Sequence, residues 1–153
     1  MHFSIGAHPA FMCEGGLAGY RLDFHNGMRV RAAGELNEDG VLKKESRDIV
    51  FDGGVLKLSD ELFEKDALVF DGEGINTVTI IDPQNNPYLQ VRFDAPQLGI
   101  WSPAGKRAPF VCIEPWFGRC DDEGYEGTLK DRKYSNTILP GHSFNKEYVI
   151  DIL

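Results

Sequence analysis

Seventeen glycines and eight prolines divide this 153-residue chain into short segments. No window of helical length carries apolar residues at the three- and four-residue spacing of an amphipathic helix. Segment 88–93 instead alternates Tyr, Gln and Arg with Leu, Val and Phe, which is the two-residue period of a half-buried strand. The sequence therefore predicts an all-β chain, in which each strand has one apolar face to bury against another sheet.

Ten strands are predicted from alternating or apolar runs bounded by turn residues. They are 20–24, 28–32, 47–51, 55–58, 67–70, 77–81, 88–93, 98–101, 110–114 and 146–152. The Asn26-Gly27 pair predicts a hairpin between the first two strands, because both residues tolerate positive φ. Further turns are predicted at 52–54, 71–74 and 82–87. A short helix is predicted to begin within 59–64, with Ser59 or Asp60 as its cap.

Composition indicates one folded domain spanning residues 1–153, because 42% of the residues are hydrophobic and 26% are charged. An all-β chain of this kind forms a sandwich or a barrel-like stack of sheets. The formal net charge of −8 opposes binding to nucleic acid or to an anionic lipid surface. The apolar runs are strand-sized and far shorter than the ~20 residues that span a bilayer.

Three cysteines, an odd number, do not make a disulfide framework, and no basic flank precedes a long apolar stretch near the N-terminus. We therefore expect reduced thiols in a cytoplasmic protein. Cys112 and Cys120 lack the close pairing of a zinc site, and the other histidines show no ligand spacing with His8. The acidic run 121–123 lacks the alternating ligands of an EF-hand loop, which favours a solvated loop over a calcium site. No metal site is predicted.

Glu114 is the one carboxylate inside the apolar segment 108–117. Burial of its isolated charged form would cost several kcal/mol, so the side chain must be paired, hydrogen-bonded or adjacent to a cavity. Desolvation would raise its pKa and suit it to general acid or base chemistry near neutral pH. The alternative is a strand-end glutamate in a structural polar network.

Four further residues are candidates for function. His8 lies among apolar neighbours before Pro9, which restricts it to extended or turn conformations, and histidine exchanges protons near neutral pH. A core or surface histidine without a catalytic role is the alternative. Asp66 precedes a strongly apolar strand, where it could bind a polyol or cap a turn. Trp101 and Trp116 could stack on a sugar face or fill the core.

Four segments, taken in order, resemble the aldose 1-epimerase (galactose mutarotase-like) superfamily, and most closely its LacX-like branch. They are FSIGAHPAF at 3–11, LFEKDALVF at 62–70, LGIWS at 98–102 and FVCIEPWFG at 110–118, and LPGH at 139–142 resembles a terminal turn of the family. The resemblance implies a large antiparallel β-sandwich that binds a pyranose in an open cleft and interconverts its α and β anomers. It also implies that no metal or organic cofactor is needed.

Carried over by motif, the resemblance implies that Glu114 removes the proton from the anomeric hydroxyl. His8 would protonate the ring oxygen, and Asp66 would accept hydrogen bonds from sugar hydroxyls. Trp101 and Trp116 are the further substrate-binding candidates. The substrate would be an aldose, free or phosphorylated.

The resemblance covers only the C-terminal half of the family pattern, whose members are about twice as long. The absent half would supply several strands, a second histidine and an arginine of the sugar site. Loss of these strands would expose apolar faces and unpaired edges, so we expect a homo-oligomer formed through the sheet edges. Two alternatives to a working mutarotase stay open: a non-catalytic carbohydrate-binding module, and a truncated, inactive remnant.

Overall fold

The computed structural model describes residues 1–71 and 74–153. Within these ranges the chain forms β-strands and one 3₁₀ helix, at Asp60–Phe63, and it contains no α-helix. The strands are β1 (His2–Phe3), β2 (Ile5–Gly6), β3 (Ala10–Met12), β4 (Arg21–Asp23), β5 (Val30–Leu36), β6 (Leu42–Val50), β7 (Val55–Lys57), β8 (Leu68–Asp71), β9 (Thr77–Ile81), β10 (Pro87–Phe93), β11 (Gln97–Trp101), β12 (Phe110–Phe117), β13 (Asn136–Thr137) and β14 (Tyr148–Ile152).

Two antiparallel sheets build the sandwich. The larger sheet has the order β2-β12-β11-β8-β5-β6, and β3 pairs with the same strand as β2. The smaller sheet has the order β14-β10-β9-β4-β7. A separate pair, β1 with β13, joins the start of the chain to the segment that precedes its last strand. The predicted all-β, antiparallel sandwich is confirmed.

One apolar core lies between the two sheets, because alternate residues of their strands point inward. Leu98, Ile100 and Ile113 of the larger sheet share this core with residues such as Leu22 and Ile80 of the smaller one. Aromatic rings connect the layers directly: Phe24 and Phe70 lie 6.1 Å apart between ring centroids, and Phe51 packs against both. The larger sheet therefore has one face covered by the core and a second face free to carry a site.

The predicted hairpin at Asn26-Gly27 is wrong. β4 pairs with β7 and β9 in the smaller sheet, whereas β5 pairs with β6 and β8 in the larger sheet. Gly27 does adopt a positive φ of 64°, so the turn exists, but it carries the chain from one sheet to the other. Local turn chemistry was correct, and the partners of the strands were set by burial of their apolar faces.

The other local predictions are largely confirmed. Asp82–Pro87 closes the β9–β10 hairpin, where the Asp82 N–H donates to the Asn86 carbonyl. The short helix is a single 3₁₀ turn preceded by Ser59, whose side chain makes no capping hydrogen bond. The predicted turn 71–74 includes Gly72 and Glu73, which lie outside the described residues. The strand predicted to end at Glu114 continues to Phe117.

The last strand forms an edge with much apolar surface in contact with solvent. β14 pairs with β10 alone among the described strands, and its residues Tyr148, Val149, Ile150 and Ile152 are exposed. Arg92 of β10 fixes it through an ion pair with Asp151 at 2.7 Å. None of the described helices has the length and apolar character needed to cross a membrane.

Candidate active site

Strand β12 divides its side chains between the core and the open face of the larger sheet. Val111, Ile113 and Phe117 belong to the apolar core. Because side chains alternate along a strand, Cys112, Glu114 and Trp116 point to the opposite face. Glu114 therefore lies in the middle of a strand, and not at its end as the sequence suggested.

His8 is held directly across from Glu114. β2 pairs Gly6 with Trp116 and β3 pairs Ala10 with Cys112 in the same antiparallel register, and His8 lies midway between these two pairs. Backbone hydrogen bonds bracket it: the Ala7 N–H donates to the Pro115 carbonyl, and the Ile113 N–H donates to the Pro9 carbonyl. The interruption at 7–9 lets the imidazole turn toward the carboxylate.

The imidazole and carboxylate form a close pair of unequal exposure. His8 Nε2 lies 3.4 Å from Glu114 Oε1, and the His8 side chain is 62% exposed whereas Glu114 is 3% exposed. Burial raises the pKa of Glu114, and the Asp66 carboxylate raises it further, while the His8 imidazole and the Trp116 indole partly oppose the rise. A buried carboxylate with a raised pKa beside a solvent-accessible imidazole can exchange protons with a ligand near neutral pH.

Trp116 lies flat over the neighbouring strands and orients Glu114. Its Nε1–H donates to Glu114 Oε2 at 3.2 Å. The indole occupies the space that side chains would fill at Gly99 and Gly6, since a Cβ on these glycines would approach Trp116 Cδ1 or Cζ2 to within 2.7 Å. The two glycines therefore give the open face a flat floor on which the ring can lie.

Trp101 and Asp66 lie beside the pair formed by His8 and Glu114. The Trp101 ring meets the His8 ring edge-on, with centroids 5.8 Å apart, and neither tryptophan belongs to the apolar core. Asp66 is exposed at a positive φ of 70°, and its Oδ1 accepts the Ala67 N–H at 2.7 Å. This hydrogen bond gives Asp66 a role in forming the turn. Together with Trp101, Asp66 also lines an adjoining cavity.

Two cavities meet at Leu36, which lines both. The first, of about 470 Å³, contains His8, Glu114 and Trp116, and the second, of about 760 Å³, contains Asp66 and Trp101. All five residues predicted for the site therefore line one continuous stretch of the open face. Concave surfaces of this size with a few convergent polar groups are typical of small-molecule sites.

Sequence reasoning missed two residues of this face. Arg119 is 7% exposed, lines the cavity of Glu114, and pairs with Asp122 at 2.8 Å, so part of the predicted solvated acidic loop is ion-paired. Cys112 is 1% exposed and follows the same alternation as Glu114. Neither residue carried a sequence signal: Cys112 lies in an apolar run, and Arg119 lies beyond the end of β12, where the alternation stops at Phe117.

His8, Cys112 and Glu114 also form a cluster of potential metal ligands, whose donor atoms all lie within 4.8 Å of one another. Sequence spacing did not reveal it, because His8 comes from a segment far from β12 in the chain.

Known proteins are similar to this chain in sequence. No protein-family model matches the chain. It is 32% identical over 159 aligned residues to the chromosomal and plasmid LacX proteins of Lactococcus lactis subsp. lactis, a match that covers all of this chain and 53% of each relative. The chain therefore resembles the LacX proteins along its whole length. It spans about half the length of these curated relatives.

Solved structures share the fold of this chain. A galactose mutarotase related enzyme from Lactobacillus acidophilus superposes on it with a TM-score of 0.82 at 28% identity, covering all of this chain and 52% of the other. A galactose mutarotase-like protein from Lactobacillus casei ATCC 334 has the same fold, with a TM-score of 0.77 at 24% identity over 98% of this chain and 52% of the other. The fold of this chain is therefore galactose mutarotase-like, and its match to about half of each relative is consistent with a C-terminal half.

Proposed function

We propose that this chain carries the acid–base centre of an aldose 1-epimerase (mutarotase) and interconverts the α and β anomers of an aldose. The observation that carries the proposal is the 3.4 Å separation of His8 Nε2 and Glu114 Oε1 on the open face of the larger sheet. Opening of a cyclic hemiacetal needs a base at the anomeric hydroxyl and an acid at the ring oxygen. Both oxygens are bonded to the same carbon, so the two groups must be neighbours.

The reaction follows from this arrangement. Glu114 takes the proton of the anomeric hydroxyl, the C1–O1 bond becomes a carbonyl, and the bond between C1 and the ring oxygen breaks. The ring oxygen takes a proton from protonated His8. The aldehyde then rotates about the C1–C2 bond, and the reverse transfers close the ring on the other face of the carbonyl. Atoms and charges balance within the sugar and the two side chains, and each proton transfer contributes roughly 10²–10⁴-fold.

The other candidates bind the sugar. Trp101 and Trp116 present apolar ring surface to the C–H face of a pyranose, and Trp116 also holds the Glu114 carboxylate in place. Asp66, exposed at the edge of the adjoining cavity, accepts hydrogen bonds from hydroxyls distant from C1. A free aldose and a sugar phosphate are both compatible with this set of contacts.

Completion of the sandwich is a further part of the proposal. The exposed apolar residues of β14 lie on a free strand edge, which is a ready template for pairing with another chain. We expect a homo-oligomer formed through such edges, in a cytoplasmic setting that keeps the three free cysteines reduced. Measurement of the solution mass by light scattering tests this expectation, and a monomer that unfolds cooperatively would contradict it.

Anomer exchange measured by NMR magnetisation transfer tests the function. The panel comprises several aldoses and hexose 6-phosphates, and three proteins are compared: wild type, Glu114→Gln, and Glu126→Gln as an exposed control of the same chemistry. We expect acceleration by wild type and by Glu126→Gln, and loss of about 10²–10⁴-fold in Glu114→Gln. Full activity of a folded Glu114→Gln variant would overturn the assigned base. Saturable binding without acceleration would favour the non-catalytic module instead.

A further inference from the structure

Cys112 has no part in the proton transfers proposed above, yet it lies beside both groups that perform them. It is two residues before Glu114 on the same face of β12, and the backbone of Ala10 pairs with it on the His8 side. The donor atoms of His8, Cys112 and Glu114 all lie within 4.8 Å of one another. No other such trio of potential ligands occurs in 1–71 and 74–153.

The donor set selects a class of cation. An imidazole nitrogen, a thiolate sulfur and a carboxylate oxygen are the protein ligands of Zn²⁺ and its neighbours, whereas Ca²⁺ and Mg²⁺ require oxygen ligands. Three protein ligands also leave the fourth tetrahedral position for water, which is the arrangement of open zinc sites. Here that position would face the cavity that contains Trp116 and Arg119.

The distances fit such a cation with little rearrangement. Two ligand atoms on a tetrahedral zinc ion lie about 3.3–3.6 Å apart, given zinc–ligand bonds of 2.0–2.3 Å. His8 Nε2 and Glu114 Oε1 are 3.4 Å apart. The other donor separations lie within 4.8 Å, and rotation of the 62% exposed His8 side chain together with a side-chain adjustment of Cys112 or Glu114 would close them to this range.

We propose that His8, Cys112 and Glu114 bind a zinc-type divalent cation, and that occupancy by this cation closes the site to sugar. On binding, the Cys112 thiol proton leaves to solvent and the sulfur bonds to the metal as a thiolate. The blocking effect rests on the proposed function, because His8 and Glu114 cannot hold a metal and transfer protons to a sugar at the same time. Metal binding itself does not depend on that function.

Cobalt(II) is the probe, added to the reduced, metal-free full chain without sugar. A thiolate-to-cobalt charge-transfer band in the near ultraviolet, saturating at one equivalent, is the expected result. Cys112→Ser should lose this band, whereas Cys120→Ser should keep it. His8→Gln and Glu114→Gln should weaken cobalt binding by more than about tenfold, since even outer-shell changes cost that much. These two variants keep the test decisive if Cys112→Ser does not fold.

The outcomes separate the two proposals. Absence of the band in folded wild type, or its persistence in folded Cys112→Ser, would overturn the metal site whatever the enzyme activity. If the metal-free protein accelerates anomer exchange, zinc should inhibit wild type, and it should inhibit Cys112→Ser only at a concentration more than about tenfold higher. A cobalt band in a protein without mutarotase activity would leave the metal site standing and refute the proposed function.

Discussion

The two faces of β12 are almost equally buried, yet their side chains have different surroundings. Ile113 on the core face is fully buried, and Glu114 on the open face is only 3% exposed. Ile113 is surrounded by apolar side chains from both sheets. Glu114 has an imidazole on one side and an indole N–H on the other. Burial of Ile113 stabilises the fold, whereas burial of Glu114 raises the pKa of its carboxyl group, which suits the role proposed for it.

One strand can thus contribute to stability with one face and to the proposed chemistry with the other. Alternation of side chains separates the two tasks by a single residue. Substitution of the largely exposed His8 on the open face should therefore change the rate of anomer exchange and leave the free energy of unfolding nearly unchanged. Substitutions on the core face should do the reverse.

His8→Gln is expected to have the largest effect on the rate of anomer exchange. We expect catalysed anomer exchange to fall by about 10²–10⁴-fold, because the acid for the ring oxygen is lost. The free energy of unfolding should change by less than about 0.5 kcal/mol, since the His8 side chain is largely exposed. His142→Gln is the matched control in an exposed turn, and it should keep both properties. An active His8→Gln variant would remove His8 from the mechanism.

Ile113→Ala should give the converse result. Truncation of a fully buried isoleucine typically lowers the free energy of unfolding by about 2–5 kcal/mol. Urea denaturation measures this loss, with Val50→Ala as an apolar truncation at a site that is 73% exposed. Below its unfolding temperature, the Ile113→Ala variant should keep most of the wild-type rate. A large loss of rate in the folded variant would show that the two faces are coupled.

Much of the fold was predictable because its strands carry a local signal. Segments 77–81 and 88–93 alternate or are apolar, end at turn residues, and match β9 and β10 within one residue. β1, β2, β3 and β13 were missed because two or three residues carry no readable period. β12 was predicted too short because Pro115 lacks an N–H, but its carbonyl still accepts a hydrogen bond from Ala7 and the ladder continues.

The candidate site was predictable only in part. Glu114 stood out as a lone carboxylate in an apolar segment, and that signal is physical. Asp66 and the two tryptophans each had a structural alternative that composition could not remove. Cys112 was missed because a cysteine in an apolar run is indistinguishable from a core residue. The segment that lies opposite a strand depends on pairing between residues far apart in the sequence, which local patterns do not specify. The wrong hairpin prediction at Asn26-Gly27 has the same cause.

Gly99→Ala is expected to have the smallest effect of these substitutions. Gly99 faces Glu114 across the β11–β12 ladder, and a Cβ there would lie 2.6 Å from Cζ2 of Trp116. The indole would have to move, at a cost of about 1–3 kcal/mol in the free energy of unfolding. The movement would also weaken the hydrogen bond from Trp116 to Glu114, so the rate of anomer exchange should fall together with stability.

A double-mutant cycle separates this clash from other effects of the added methyl group. If Trp116 is the cause, Gly99→Ala should cost much less stability in a Trp116→Ala background, because the space above the strand is then open. An equal cost in both backgrounds would mean that the methyl group acts on the strand itself. Gly99 would then not be what positions Trp116 and Glu114. The geometry of the open face would instead depend on the pairing of β12 with β2 and β3, on either side of His8.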